Sequence, residues 1–259
     1  MPKPLSQSRQ SHPLRVVVLA SGNGSNLQAI LDTFVESSEV KVVGVASNRR
    51  GAKALQRARG FGLPTEVFER RSYEGAVQRD EAMAAWIQSL SADLIVAAGY
   101  LAILTPKFVD DFRLKIINIH PSLLPQFRGL NAVQQAFEAG VRKSGVTVHF
   151  IDEGVDTGPV IKQKTIKRRR KDDLEMFEKR IHEAEYELLP GVIQEVASGK
   201  RRIGAERDLR SFAAPEAIAE RMRRSIASTR AALAHFAMAV KVGSRQAPEP
   251  TRSATLSRH

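Results

Sequence analysis

The sequence contains no cysteine, and this absence excludes several kinds of chemistry. Disulfide frameworks, cysteine-ligated zinc sites and thiol nucleophiles all require that residue. Histidine, the other common zinc ligand, occurs six times and shows no metal-binding spacing. We therefore predict a protein of a reducing compartment, the cytoplasm, without a metal site.

Long apolar segments are also absent. The longest nearly apolar stretch, residues 94–104, has eleven residues and includes Gly99, whereas a membrane-spanning helix needs about 20. The first fifteen residues are polar, contain three prolines and lack the apolar segment of a secretory signal. The sequence predicts a soluble protein with no membrane partner and a disordered leader at residues 1–13.

Aromatic residues make up only 6% of the chain, and the net charge of +12 is concentrated near its ends. Residues 1–15 sum to +3 and residues 201–259 to +7, which leaves +2 for the 185 residues between them. Stacking aromatics are not interleaved with the basic residues of the tail. A nucleic-acid partner is therefore not expected.

The central part of the chain alternates apolar, β-branched runs with segments of helical periodicity. Strands are predicted at residues 16–20, 40–46, 64–68, 93–98, 116–119 and 146–151. Helices are predicted around residues 27–34 and at 52–59, 79–90, 132–139 and 174–197, the last kinked or split at Pro190. This order predicts an α/β fold, doubly wound around a mainly parallel sheet.

The pattern changes again toward the carboxyl terminus. A basic stretch at residues 167–173 is typical of a solvated loop, and we expect the main domain to occupy residues 14–203. Residues 204–259 are predicted to form a basic helical extension, with a helix at 214–240 and a disordered tail. Its modest apolar face favours docking on the main domain over binding to a membrane or a partner.

A glycine-containing loop, SGNGSN at residues 21–26, joins the first predicted strand to its helix. Backbone N–H groups at a helix N-terminus suit a phosphate, and Ser25 and Asn26 add polar donors. A dinucleotide site is not expected, because Leu27 replaces the third glycine and no acidic residue ends the second strand. A tight turn without a ligand is the alternative.

Two polar residues, Asn118 and His120, end a predicted buried strand and share one of its faces. An amide and an imidazole at the carboxyl end of a strand can stabilise charge on a carbonyl oxygen and move a proton. Alternatively, they only bond the proline-rich turn that follows. An acidic loop at residues 152–159 could place an aspartate against His120, or be a solvated turn. His149 is interpreted as a core or rim histidine rather than a metal ligand.

Four motifs in order carry a family resemblance: VVVLASGNGSNLQAIL at residues 16–31, LIVAAGYLAIL at 94–104, NIHPSLLPQFRGLNAVQQAFEAG at 118–140 and SGVTVHFIDEGVDTGPVI at 144–161. Together they resemble the phosphoribosylglycinamide formyltransferases over roughly residues 14–203. The resemblance implies the formyltransferase fold and the transfer of a formyl group from the co-substrate 10-formyltetrahydrofolate to the amine of glycinamide ribonucleotide in purine biosynthesis, without a metal.

The resemblance also implies residue roles. The catalytic set is Asn118, His120 and Asp156. The substrate contacts are Gly24, Ser25 and Asn26, around the phosphate, and Glu185. The folate pocket comprises Leu101, Ala102, Ile103, Leu104, Asn118, Asp152, Glu153, Gly154, Val155 and Asp156.

The chain departs from the family pattern in places. Ala102 stands where a basic residue is common, and a folate-contacting arginine could be Arg70, Arg71 or Arg79. The residues beyond position 203 have no recognised counterpart. No oligomeric state is predicted.

Three other functions are compatible with parts of the sequence. Methionyl-tRNA formyltransferase shares motifs and would suit a basic tail, but it carries a β-barrel domain where residues 214–240 predict a helix. Formyltetrahydrofolate deformylase has a regulatory domain ahead of its catalytic core, where this chain has a short leader. A nucleotide-binding module without activity would leave Asn118, His120 and Asp156 without a role.

Overall fold

The computed structural model describes residues 12–204, which form a sheet with helices on both faces. The strands are β1 (Leu14–Leu19), β2 (Val40–Ser47), β3 (Thr65–Val67), β4 (Leu94–Ala97), β5 (Ile116–His120), β6 (Lys143–Phe150) and β7 (Val160–Lys167). The helices are α1 (Ser25–Phe34), α2 (Lys53–Gly60), α3 (Ala76–Ser89), α4 (Pro106–Asp111), α5 (Ala132–Glu138) and α6 (Leu174–Ala197). A short 3-10 helix covers Arg70–Ser72.

The strand order is β3-β2-β1-β4-β5-β6-β7. The strands from β3 to β5 are parallel, whereas β6 and β7 each run antiparallel to the preceding strand. This arrangement confirms the predicted doubly wound, mainly parallel sheet. The strand order reverses between β1 and β4, and α/β sheets place ligands beyond the carboxyl ends of the strands at such a point.

Strand β1 shows why the central strands have continuous apolar sequences. Val16 and Val18 pack in the core formed with α1, α2, α5 and α6, whereas Val17 and Leu19 pack in the core formed with α3 and α4. Alternate residues of a strand point to opposite faces, and both faces are covered here. All four side chains are fully buried.

Helix α6 has the predicted bounds, and of the kink or split predicted at Pro190 the split does not occur. The proline lies inside one continuous helix, where it removes a backbone hydrogen bond. Leu189 and Ile193, on either side of it, are fully buried in the core. Packing of this apolar face offsets the lost hydrogen bond, since burial of a leucine or isoleucine side chain contributes about 2 kcal/mol.

Two elements are absent from the sequence prediction, namely β7 and α4. Strand β7 carries lysines at positions 162, 164 and 167 and lies at the edge of the sheet. Edge strands commonly carry lysines, because charge on an exposed edge opposes pairing with another chain. Helix α4 has only six residues, too few for a periodic pattern to be recognised.

Some predicted segments lie outside the described residues. They are the first eleven residues of the leader and the extension from residue 205 onward, including the helix predicted at 214–240. Within residues 12–204, no helix has both the length and the apolar character that a membrane span requires.

Helices α1 and α2 approach each other closely at Gly24, and we expect a side chain there to destabilise the fold. Gly24 has a φ of 73°, and an added Cβ would lie 2.7 Å from the Cα and Cβ of Ala54. Gly62, with a φ of 67°, faces open space and serves as the matched control. Gly62→Ala should lower the free energy of unfolding by about 1–2 kcal/mol through backbone strain alone, and Gly24→Ala by about 2–5 kcal/mol through strain and overpacking.

Urea denaturation of the two variants and the wild type, under one set of conditions, measures both effects. If both variants lose the same free energy of unfolding, the structure around Ala54 relaxes and accommodates the added methyl group without cost.

Candidate active site

A cleft of about 610 Å³ opens beyond the carboxyl ends of β1, β4 and β5. A volume of this size is typical of small-molecule sites. Every residue that the sequence assigned to a site borders it: Gly24, Ser25, Asn26, Leu101, Ala102, Ile103, Leu104, Asn118, His120, Asp152, Glu153, Gly154, Val155, Asp156 and Glu185. The fold therefore brings together five segments that are far apart in the sequence.

One end of the cleft is formed by the N-terminus of α1. Gly24 precedes this helix in a left-handed conformation that favours glycine, and it provides no side chain to cap the helix. The first turn contains no acidic residue. Its backbone N–H groups and the positive end of the helix dipole are thus available to an anion.

Asn26, in this first turn, is joined to α6 by a buried carboxylate. Its Nδ2 donates to Glu185 Oε2 at 3.2 Å, and His182 Nδ1 lies 2.8 Å from the same oxygen. The hydrogen bond with Glu185 raises the pKa of His182. Asn26 Oδ1 is buried and has no hydrogen-bond partner among residues 12–204, so a ligand N–H or O–H group would satisfy it.

Asp156 lies at the centre of the cleft and contacts several separately positioned groups. Its Oδ2 lies 3.2 Å from His120 Nδ1 and accepts a 2.8 Å hydrogen bond from the Gly129 backbone N–H. Burial raises the pKa of Asp156. The rings of His149 and His120 and the Gly129 N–H lower the pKa by a larger amount, so the net pKa lies below the usual range. Asp156 is therefore a carboxylate at neutral pH.

The backbone of Asp156 has a φ of 51°, in the left-handed region. Aspartate tolerates this conformation better than most residues do, although it still costs about 1 kcal/mol or more. The hydrogen bond from Gly129 and the adjacent histidines help to stabilise it.

His120 is buried, with an exposed fraction of 5%, and both of its ring nitrogens face oxygen atoms. Nε2 lies 2.7 Å from the Phe127 carbonyl oxygen, and Nδ1 faces Asp156. The protonated ring can donate to both oxygens, whereas a neutral ring leaves one lone pair facing an acceptor. Burial lowers the pKa of His120 and exceeds the opposing effects of Asp156 and the Phe127 carbonyl.

His149 joins this cluster through the register of the sheet. Asn118 of β5 pairs with His149 of β6, and Asn118 Nδ2 lies 3.1 Å from His149 Nε2. His149 Nδ1 lies 2.8 Å from the Phe150 carbonyl oxygen, which can accept a hydrogen bond from an Nδ1–H group. The second N–H of Asn118 points toward Asp156 Oδ1 at 3.4 Å, which is long for a hydrogen bond.

His149 was predicted to be a core or rim residue, and its contact with Asp156 was not predicted. Asp156 Oδ1 lies 3.5 Å from His149 Nε2. His149 is indeed buried, at 2% exposure. Its position beside Asn118 required the antiparallel pairing of β5 with β6, which the sequence analysis did not predict. Thr147 and His149, two buried polar residues on one face of an apolar strand, were the available signal.

Two loops form the other side of the cleft. The first, Gly99 to Thr105, presents the exposed side chains of Leu101 and Ile103. The second is residues 152–156, where Asp152 Oδ1 accepts hydrogen bonds from the Gly154 N–H and the Thr157 hydroxyl. Within residues 12–204, no group of three or more His, Asp or Glu side chains is placed to hold a metal ion.

Three comparisons with known proteins agree on a family. A family model described as formyl transferase matches residues 14–193. Phosphoribosylglycinamide formyltransferase of Haemophilus influenzae is 43% identical over 191 residues, which are 73% of this chain and 90% of that protein. The protein of the same name from Bacillus subtilis is 41% identical over 183 residues, covering 70% of this chain and 94% of the relative.

Solved structures show the same relationship. The crystal structure of glycinamide ribonucleotide transformylase 1 from Symbiobacterium toebii superposes with a TM-score of 0.72 at 39% identity. The match covers 76% of this chain and 93% of that one. On sequence and on structure, the chain belongs to the formyl transferase family.

Proposed function

We propose that this protein transfers the formyl group of 10-formyltetrahydrofolate to the primary amine of glycinamide ribonucleotide, a step of purine biosynthesis. The observation that carries the proposal is the cluster of Asn118, His120 and Asp156 in one cleft, between an anion site and an apolar loop. The names of the relatives support the same reaction.

The two ends of the cleft suit the two substrates. The phosphate of glycinamide ribonucleotide would bind the backbone N–H groups and side chains of Gly24, Ser25 and Asn26, while Glu185 and Asn26 Oδ1 would accept hydrogen bonds from the rest of that substrate. The folate would lie against residues 101–104 and 152–156, which expose the apolar side chains of Leu101, Ile103 and Val155.

The reaction needs no covalent enzyme intermediate. The substrate amine attacks the formyl carbon, a C–N bond forms, and negative charge develops on the formyl oxygen. The bond between that carbon and the folate nitrogen then breaks, and the proton lost by the amine passes, through water, to the departing nitrogen. The groups required are donors for the oxyanion and a base near the amine.

Asn118 and His120 are the donors in this proposal. The long 3.4 Å contact between Asn118 Nδ2 and Asp156 leaves one N–H weakly held and able to turn toward the formyl oxygen. His120 Nε2, which lies beside the Phe127 carbonyl, would transfer its hydrogen bond to the oxyanion. Burial lowers the pKa of His120, so the protonated ring is the minor form at neutral pH, but that form is a stronger acid and a stronger donor than an ordinary imidazolium. Asp156 orients the ring and helps to move the amine proton.

An acceptor assay tests the proposed function. Purified protein supplied with 10-formyltetrahydrofolate should formylate glycinamide ribonucleotide, measured by the appearance of tetrahydrofolate and of the formylated product. The dephosphorylated nucleoside should be a much poorer acceptor, with KM at least about tenfold higher, because it lacks the group that binds a helix N-terminus. Preference for water or for methionine-charged initiator tRNA would instead indicate one of the alternative functions.

The three central residues should each be required for turnover. We expect Asn118→Ala, His120→Ala and Asp156→Ala to lower kcat by roughly a hundredfold or more, since one preorganised donor contributes about 3 kcal/mol. Asp110→Ala removes an exposed carboxylate on α4 and is the control. Steady-state kinetics and circular dichroism separate loss of chemistry from loss of fold, and near-normal turnover of folded His120→Ala would overturn the assignment.

The lowered pKa of His120 has a consequence for stability. The ordinary pKa is 6.5, and burial lowers that of the folded protein. Below about pH 6.5 the unfolded chain therefore binds a proton that the folded protein does not, so the contribution of His120 to stability falls as the pH falls. For one proton, the free energy of unfolding changes by at most about 1.4 kcal/mol per pH unit.

Urea denaturation of the wild type and His120→Asn between pH 7.5 and 5 measures this contribution as a difference. We expect the wild type to lose stability relative to the variant as the pH decreases. The raised pKa of His182 acts in the opposite direction, but it is common to both proteins and largely cancels. If the wild type instead gains stability relative to the variant as the pH decreases, the effect of Asp156 on the pKa of His120 outweighs that of burial.

A further inference from the structure

The loop from Gly99 to Thr105 exposes two of its apolar side chains, since Leu101 and Ile103 are 54% and 77% exposed. Tyr100 and Leu104 pack against the core, but burial of Leu101 and Ile103 adds little to the stability of the loop. Hydrogen bonds from the loop backbone to the rest of the domain help to fix its conformation.

The first half of the loop is anchored to the end of β1. The backbone N–H of Ser21 donates to the Gly99 carbonyl oxygen at 3.0 Å, and the Ser21 hydroxyl accepts from the Leu101 N–H at 2.7 Å. The same hydroxyl donates to Asn48 Oδ1 at 2.6 Å. One buried serine thus fixes the chain on both sides of position 100.

The second half is anchored by a buried ion pair on α3. Arg79 and Asp80 are 4% and 2% exposed, and Arg79 Nη2 lies 2.6 Å from Asp80 Oδ1. Arg79 Nη2 also donates to the Ile103 carbonyl oxygen at 2.8 Å, while Asp80 Oδ2 accepts from the Thr105 N–H at 2.7 Å. Each member of the pair therefore bonds one backbone group of the loop, and these two groups belong to residues 103 and 105.

The arrangement is unusual for neighbours in a helix. Side chains at positions i and i+1 normally diverge, so ion pairs on helices form at i+3 or i+4. Here both Arg79 Nε and Nη2 contact the same carboxylate oxygen, which leaves the other oxygen for the loop. A buried ion pair contributes weakly to stability by itself, because desolvation opposes its attraction, whereas it fixes geometry well.

We propose that Arg79 and Asp80 are positioning residues for the folate-binding loop: they act through the Ile103 carbonyl and the Thr105 N–H, and set where Leu101 to Leu104 meet the folate. This inference rests on the proposed function of the cleft. Arg70 and Arg71 are exposed and lack this connection, since Arg71 bonds Glu69. In the anion site, Asn26 is tied to α6 through Glu185.

The first test is Asp80→Asn, with Asp111→Asn, an exposed carboxylate on α4, as the matched control. We expect KM for 10-formyltetrahydrofolate to rise at least tenfold in Asp80→Asn, with KM for glycinamide ribonucleotide changed less than twofold. Asp111→Asn should match the wild type in both. A merely structural role would instead change both KM values and kcat together, in proportion to a loss in Tm.

A second pair of variants keeps the test decisive if Asp80→Asn does not fold. Thr105 has a φ of −71°, which proline adopts, and its side chain caps α4 by accepting from the Phe108 N–H. Thr105→Pro and Thr105→Ala both remove this cap, but only Thr105→Pro removes the N–H that bonds Asp80. We expect the proline variant alone to raise KM for the folate severalfold.

Binding of 5-formyltetrahydrofolate, which does not donate its formyl group in this reaction, separates the two proposals. Its Kd should rise in Asp80→Asn and in Thr105→Pro by the same factor as KM. If the wild type binds this folate but does not transfer the formyl group of 10-formyltetrahydrofolate, the proposed function fails while the effect of Arg79 and Asp80 on folate binding is still measured. Unchanged folate affinity in both variants overturns the positioning role.

Discussion

The carboxylate of Asp156 is the interaction on which the candidate site depends. It brings together β5, through His120 and Asn118, the backbone at Gly129, and β6, through His149. Without its charge, the two buried imidazole rings would lose their nearest anion, and the loop would lose the contacts that compensate for its left-handed backbone. One side chain therefore contributes both to the orientation of the two rings and to the geometry of the loop.

Buried polar side chains of the cleft are paired with other polar groups. His120, His149 and Glu185 are each at most 5% exposed, and each has a polar partner at hydrogen-bonding distance. Low local dielectric strengthens such contacts and penalises any group left unpaired. Asn26 Oδ1 is the exception among the described residues of the cleft, which is consistent with a place where substrate completes the network.

The general fold and most of the candidate site could be predicted from the sequence, because they depend on local patterns. Continuous apolar strands, helical periodicity and the glycine loop are visible in short windows, and the ordered motifs identified the residues that border the cleft. The partners of those residues could not be predicted. His149 beside Asn118 depends on the register of two antiparallel strands, and the connection of Arg79 to Ile103 joins elements that only the folded chain brings together.

Helix α2 shows how an element outside the cleft can affect ligand binding. Its residues do not border the cleft, yet Ala54 N donates to the Gly22 carbonyl oxygen and Arg57 Nε to that of Asn23. The loop that would receive the phosphate is thus held from behind by α2. By thermodynamic linkage, any anion that binds this loop only when α2 is docked also stabilises α2. Its backbone amides would then exchange with solvent deuterium more slowly in the liganded protein, although α2 does not border the cleft.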